Sequence, residues 1–304
     1  MPKPSPTSGP ITIKGTKSAD HIVIGEGNYV YTDAQQLRGF VIDGGNGNDF
    51  LAGGSGVDRI SGGSGFDEIV AQEEDILGAP SGTAAYDGGL DRDVLNFSAW
   101  TDSIGIDLGT TNISGDRDRF YTDFQMDSPT DLVVEFNEAN DLRGVTVSIE
   151  GVIGGSNNDY IGGDWGANYI DGGGGDDYLV GEYGADHLIG GSGNDLIVTG
   201  IDNDLVTGGD GNDTFVFGGG TAGAVFVTTV TDYDTRTSET DSFDSIWINQ
   251  SFDWQFATAT DGTLTIIYRD SSGQLGEVLL QGLTIADQAS VVVLGFDPYT
   301  GMPV

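Results

Sequence analysis

The sequence predicts an all-β protein built as a β-solenoid, interrupted once and closed by a β-rich cap at its C-terminal end. Three observations predict it. Ten glycine- and aspartate-rich nonapeptides occur in two uninterrupted runs, at 44–70 and 154–216. An aliphatic or aromatic residue recurs at the eighth place of nearly every one, a period of nine with no helical spacing in it. The 304 residues include 51 glycines and 48 acidic residues against 11 basic ones, a net charge of −37. An internal repeat of this length is the sequence mark of stacked, quasi-one-dimensional architecture.

The elements follow in chain order. Residues 1–14 open with MPKPSPTSGP, a flexible lead-in without the apolar stretch of a secretory leader. No apolar run of about 18 residues occurs anywhere, so membrane insertion is not expected. Residues 15–43 hold one repeat-like fragment, GTKSADHIV, and read as an N-terminal cap, because terminal repeats are atypical. Residues 44–70 are GGNGNDFLA, GGSGVDRIS and GGSGFDEIV, with Asp49, Asp58 and Asp67 in sixth position. Residues 71–87 read as a loop. GGLDRDVLN at 88–96 is an isolated match, out of phase with both runs. Alternation at Leu95/Phe97, Ile104/Ile106/Leu108 and Val145/Val147/Ile149 predicts that the solenoid continues to 153 without acidic turns, around a polar loop at 110–131. Residues 154–216 are seven nonapeptides without a slip, whose sixth positions are Asp159, Asn168, Asp177, Asp186, Asp195, Asp204 and Asp213. Residues 217–304 lack the repeat; strands are expected at 224–231, 245–249, 264–269, 277–281 and 290–296.

Each nonapeptide has a physical reading. Six residues of Gly, Asn and Asp supply a turn with unusual backbone angles. Three more form a short strand whose middle side chain points inward. Two nonapeptides make one coil of 18 residues, so alternate repeats stack on the same edge at the strand spacing of about 4.8 Å. Asp159, Asp177, Asp195 and Asp213 then form one column. Carboxylates that close repel unless a cation lies between them. Eleven basic residues, all three lysines within the first 17 positions, cannot neutralise them. Carboxylate and carbonyl oxygens without His or Cys make a hard-cation site suited to Ca²⁺.

These nonapeptides resemble the RTX (repeats-in-toxin) calcium-binding family, tightly over 44–70 and 154–216 and loosely over most of 15–220. The resemblance implies a right-handed parallel β-roll with Ca²⁺ ions between successive turns. It implies as ligands the carboxylates of Asp49, Asp58, Asp67, Asp159, Asp177, Asp186, Asp195, Asp204 and Asp213. With them come turn oxygens at Gly44, Asn46, Gly62, Ser64, Gly154, Ser156, Gly172, Gly174, Gly190, Ser192, Gly208 and Asp210. The two edges of the second run differ. GGSNND, GGGGDD, GGSGND and GGDGND fit the pattern; GDWGAN, GEYGAD and TGIDND depart from it. Filled sites are expected on the first edge, and weaker or missing ones on the second, where Asn168 lacks a charge. Trp165, Tyr183 and Ile201 fall 18 apart there as a ladder, either padding over a turn or a contact surface. The outward strand positions Tyr160, Tyr178 and Leu196 are apolar beside Val180, Val198 and Val216, and a sheet apolar on both faces is usually covered on both. The cover is 221–304, 97–150 or another copy of the chain, with intramolecular cover favoured.

Function classes narrow accordingly. Nucleic acid is excluded by charge, because phosphate binding needs Lys and Arg. Without cysteine there is no disulfide framework and no Cys-ligated metal. There is no HExxH, GxSxG or P-loop, and the roll begins near residue 15, so no enzyme activity is expected. The C-terminal segment resembles the tail of RTX proteins exported by type I secretion, which makes that apparatus a partner. The reading is a secreted, extracellular or cell-surface calcium-binding structural protein that folds on Ca²⁺ and self-associates into a surface-layer, biofilm-matrix or filament-type assembly. The alternatives are an enzyme acting on acidic polysaccharide, by fold-level analogy, and the detached calcium module of a larger protein.

Overall fold

The computed structural model describes residues 10–32, 35, 39–72, 86–101, 104–108, 132–135, 149–217, 226–235, 243–249, 252–269 and 275–296. The start of the lead-in, the loops at 73–85 and 110–131, the strand positions Val145 and Val147 and the final residues 297–304 lie outside them. The chain divides into two compact units, Met1–Phe97 with Val134–Ile153, and Ser98–Val133 with Gly154–Val304.

In the first unit one parallel ladder runs Ile11–Lys14, Phe40–Asn46, Arg59–Ser64, Tyr86–Leu90. A second runs His21–Val23, Phe50–Ala52, Glu68–Val70, Val94–Asn96, Gly151–Ile153. Ile42, Ile60 and Tyr86 from the first ladder, and Ile22, Leu51, Ile69, Leu95 and Val152 from the second, are the buried core. The alternation of ITIK buries Ile13 opposite Ile42, so residues 11–14 are a strand and not lead-in. The segment expected to be a cap supplies a full rung, since His21–Val23 heads a ladder. GGLDRDVLN, out of phase in sequence, is in phase in space: Gly63 faces Gly89 and Val70 faces Asn96. The residues between Val70 and Tyr86 are an insertion between two rungs that leaves the stacking intact.

In the second unit one ladder runs Ile104–Asp107, Tyr160–Gly162, Tyr178–Val180, Leu196–Val198, Thr214–Phe217, Ser245–Asn249, Val292–Phe296, all parallel. The other runs Tyr169–Gly174, His187–Ser192, Leu205–Asp210, Phe226–Val230, Leu275–Leu280 in parallel, then turns antiparallel through Leu264–Arg269 and Asp253–Thr258. The eighth-position residues Ile161, Ile170, Leu179, Leu188, Ile197, Val206 and Phe215 are fully buried, as the period predicts. Parallel stacking does not stop at 217. Ile246 and Val230 continue the two inward columns, so the segment read as a cap begins as further rungs and becomes a cap only at the antiparallel strands. Asp253–Thr258, an edge strand with Trp254 exposed, was not among the expected strands, because DWQFAT has one weakly buried face and no strong alternation.

The turn geometry explains the glycines. Gly191 has φ of 112° and its Cα lies against the Gly173 carbonyl of the rung below, leaving no room for a side chain. On the degenerate edge Glu182 holds the equivalent second place at φ 69°, at the energetic cost expected of a non-glycine residue there. Truncating Leu188, fully buried in the inward column, is expected to cost about 2–5 kcal/mol. Leu205→Ala, at a 41% exposed position, should cost far less. Urea unfolding of the two variants at saturating Ca²⁺ checks the difference.

Candidate metal centre

Every sixth-position aspartate is brought indoors. Asp49, Asp58, Asp67, Asp159, Asp177, Asp186, Asp195, Asp204 and Asp213 are each at most 3% exposed. One carboxylate oxygen is used structurally. The N–H of Asp159 donates to Asp177 Oδ1 (2.7 Å), Asp177 to Asp195 (2.8 Å), Asp195 to Asp213 (2.9 Å) and Asp213 to Asp244 (2.9 Å). In the first unit the same relay runs from Asp20 through Asp49 and Asp67 to Asp93, whose own N–H reaches Glu150 Oε2. On the degenerate edge it runs Asn168, Asp186, Asp204.

The other oxygen is left over. Oδ2 of Asp49, Asp67, Asp93, Asp177, Asp186, Asp195 and Asp213 is buried without a hydrogen-bond partner. A buried carboxylate oxygen with neither donor nor counter-charge is strongly unfavourable. Such oxygens stacked as Asp49, Asp67 and Asp93 in the first unit and as Asp177, Asp195 and Asp213 in the second, with Asp186 on the degenerate edge, are the mark of a cation ligand set. A backbone carbonyl of the next rung faces the same space. A methyl group at Gly172 would overlap Asp177 Oδ2 and lie 2.6 Å from the Gly190 oxygen. At Gly190 it would overlap Asp195 Oδ2 and lie 2.5 Å from the Gly208 oxygen, and at Gly62 it would overlap Asp67 Oδ2 and lie 2.6 Å from the Gly88 oxygen. Gly44 repeats the arrangement with Asp49 and the Gly62 oxygen. Each pair offers one carboxylate oxygen and one first-position carbonyl, an all-oxygen set that fits Ca²⁺. No three carboxylates converge on one point among the described residues.

The remaining predicted ligands divide. The third-position carbonyls of Ser64, Ser192 and Asp210 face the rung below and accept the N–H of Gly47, Gly175 and Gly193, so each has one lone pair already engaged. Asn46 shares a side-chain hydrogen bond with Ser64, and Gly174 and Ser156 lie in the same turns. Asp58 and Asp159 stand at ends of their columns. Each accepts backbone N–H groups on both oxygens, from Phe40 and Gly54, and from Ile104 and Gly155. Gly154 is positioned under the Gly172 carbonyl as the other first-position glycines are. On the degenerate edge Asn168 Oδ1 is taken by the Asp164 N–H, 2.9 Å, whereas Asp186 Oδ2 and the Thr199 carbonyl meet over Gly181. Asp204 has Thr228 Oγ1 at 3.5 Å. Trp165 and Tyr183 stack there, with centroids 4.1 Å apart and planes 11° from parallel, and Tyr183 bridges to Ile201.

Sequence reasoning missed two kinds of residue. Asp20, Asp93 and Asp244 belong to the aspartate columns; the first two sit in the sixth place of repeat-like fragments, which was the available signal, and Asp244 sits in no repeat. The fifth positions form their own ladder running the opposite way: Asp176 N–H to Asn158 Oδ1, Asn194 N–H to Asp176 Oδ1 and Asn212 N–H to Asn194 Oδ1. The recurrence of Asn or Asp every 18 residues signalled it.

Burial, only partly offset by the backbone N–H donors, pushes the carboxyl pKa of Asp177 up to about 9 and of Asp186 to about 8. Asp93, Asp159, Asp195 and Asp204 rise to about 7, and Asp67 and Asp213 to about 6. Neighbouring aspartates add to the rise at Asp177, Asp186 and Asp195.

The RTX calcium-binding nonapeptide repeat family matches residues 41–69, 152–179, 162–197, 171–206 and 189–221, together about a third of the chain. The chain therefore carries RTX calcium-binding repeats. Among solved structures it is similar to the solution structure of the AlgE6R3 subunit from the Azotobacter vinelandii mannuronan C5-epimerase. The identity is 27% over 45% of this chain and 78% of that one, with a TM-score of 0.23. No curated protein matches the chain.

Two outcomes are expected. Without metal, the folded aspartates hold protons that an unfolded chain releases near the ordinary value of 3.8. That stability is present at acid pH and is lost as pH rises through about 6 to 9. Circular dichroism in EGTA should therefore show more β structure and a higher Tm at pH 5 than at pH 8. Separately, Gly172→Ala should remove one bound Ca²⁺ by filling the space between Asp177 Oδ2 and the Gly190 carbonyl. Gly166→Ala, where the added methyl would meet only Asp164 Oδ1 at 3.2 Å, should leave the count unchanged in native mass spectrometry.

Proposed function

We propose that the chain is a secreted, non-enzymatic structural protein whose β-roll folds on extracellular Ca²⁺ and then associates with further copies of itself into an extracellular layer, matrix or filament. The observation that carries the first half is the column of buried carboxylates with one oxygen each unanswered. When bound, Ca²⁺ supplies the positive charge and the missing coordination. Asp49, Asp67, Asp177, Asp186 and Asp195, with the carbonyls of Gly62, Gly88, Gly190, Thr199 and Gly208, would hold the ions. Metal affinity then becomes folding free energy. Sites built from one carboxylate and carbonyls suit modest affinities, on the order of 10⁻⁴–10⁻³ M as in extracellular modules. Such sites stay vacant where Ca²⁺ is scarce, so the chain remains unfolded and fit for passage through a type I secretion channel.

Self-association is supported by the outward face of the Tyr160-to-Val292 ladder. Its side chains Tyr160, Tyr178, Leu196, Val180, Val198 and Trp247 are half-buried. Leu196–Val198 is in close contact with its ladder neighbours and with His187–Ser192 across the core. On a chain of net charge −37, a mainly apolar strip is where two copies meet with least repulsion. Electron microscopy should show ordered assemblies on adding millimolar Ca²⁺, dispersed by chelator. Val198→Asp should abolish them while leaving the Ca²⁺-induced circular dichroism change intact. A strictly monomeric Ca²⁺-loaded protein contradicts the assembly.

A further inference from the structure

We propose that the stacked rings of Trp165 and Tyr183, with the carboxylates of Asp164, Glu182 and Asp202 beside them, form a docking surface for Lys14 and Lys17 of a second copy. This contact rests on the reading that copies self-associate, and it adds a junction between two unlike surfaces to the outward strip. On the better edge of the second run the third turn positions are Ser156, Gly174, Ser192 and Asp210; on the degenerate edge they are Trp165, Tyr183 and Ile201. Backbone hydrogen bonds hold the three in line, the Tyr183 N–H donating to the Asp164 carbonyl at 3.1 Å and the Ile201 N–H to the Glu182 carbonyl at 2.9 Å. The rings of Trp165 and Tyr183 therefore stack, centroids 4.1 Å apart, and Trp165 is still 57% exposed. Exposed tryptophan and tyrosine are the side chains most often used as anchors between proteins.

Charge selects the occupant. Asp164 and Glu182 hold the second place of successive turns on this edge, and Asp202 the fourth place of the next. None of the three makes an ion pair among the described residues, and the chain has no Lys or Arg between Arg143 and Arg236. Positive charge for this edge must come from elsewhere. An ammonium on an apolar stem suits it, the stem lying on the rings and the head meeting carboxylates and ring π-density. All three lysines of the chain lie in its first 17 residues. Lys14 ends the strand Ile11–Lys14, which heads its ladder and pairs on one side only, with Phe40–Asn46. Its side chain is 73% exposed and 3.4 Å from that of Asp43, a pair that such exposure leaves weak. Lys17 is exposed and makes no ion pair among the described residues. Each copy thus carries one basic rung and one acidic ring stack. A contact between two unlike surfaces does not close on itself as a two-fold pair does, so it propagates from copy to copy. The rings lie 18 residues apart in sequence and stack only in the folded roll, which makes the contact dependent on Ca²⁺.

The test is sedimentation velocity on the full chain at saturating Ca²⁺. Every chain carries Val198→Asp, which takes the outward strip out of play. One variant adds Trp165→Ala; the other adds Lys14→Gln and Lys17→Gln. Val198→Asp alone is expected to form concentration-dependent oligomers, and each variant by itself to associate at least about tenfold more weakly. An equimolar mixture of the two variants should form 1:1 dimers and nothing larger, because one intact surface remains on each. Dimers in the mixture and not in either variant support the contact. A monomeric mixture, a monomeric Val198→Asp chain, or a variant that associates by itself as well as Val198→Asp does overturns it, leaving the outward strip to be judged on the unsubstituted protein. If the unsubstituted protein is also monomeric, the self-association reading fails with it. Should Trp165→Ala not reach the unsubstituted circular dichroism spectrum, Asp164→Asn with Glu182→Gln takes its place, with the same outcomes.

Discussion

A carboxylate removed from water needs donors, a counter-charge or a proton. In this protein each stacked aspartate is given a donor to one of its oxygens, and along most of the two main columns the other has none. The N–H relay from Asp159 to Asp244 uses Oδ1 to lock one rung to the next, so the same side chain that sets the spacing also presents Oδ2 to the gap. Structure and binding therefore share an atom group. The inward column of Ile161, Leu179, Ile197 and Phe215 buries apolar surface on the other side of each turn, which favours folding. The acidic turn opposes it until charge is supplied.

Most of this was legible in the residues. A period of nine, with glycine in the turn and an apolar eighth place, fixes parallel strands 18 apart, an inward column and an aspartate column. Local pattern and global fold agree, because every rung is the same solution repeated. The substitution Asn168 marked the weaker edge for a physical reason visible in the structure: a neutral amide oxygen satisfied by the Asp164 N–H. The lack of His and Cys among the turn ligands pointed to oxygen chemistry as directly as the presence of aspartate did.

What was not legible lies where rungs are joined by segments of unequal length. Phase in the sequence was read as phase in space, and the insertion between Val70 and Tyr86 hid the rung that carries Asp93. The same limit concealed the continuation past Val216. Ser245 pairs with Thr214 across 31 residues and Thr229 with Leu205 across 24, spacings that no nonapeptide period contains. Asp244, just before Ser245, enters the column through that register. On the outer face, Tyr160 and Tyr178 meet edge to face with centroids 5.4 Å apart.

The central claim is that divalent charge between rungs is what makes the acidic roll stable at neutral pH. The most direct measurement is thermal unfolding followed by far-ultraviolet circular dichroism at pH 7.5, in excess EGTA and in a few millimolar Ca²⁺, with Mg²⁺ at equal ionic strength as control. The account predicts a largely unfolded spectrum in EGTA and Mg²⁺, and a β-rich, cooperatively melting protein in Ca²⁺. The same spectrum and the same Tm in all three would contradict it.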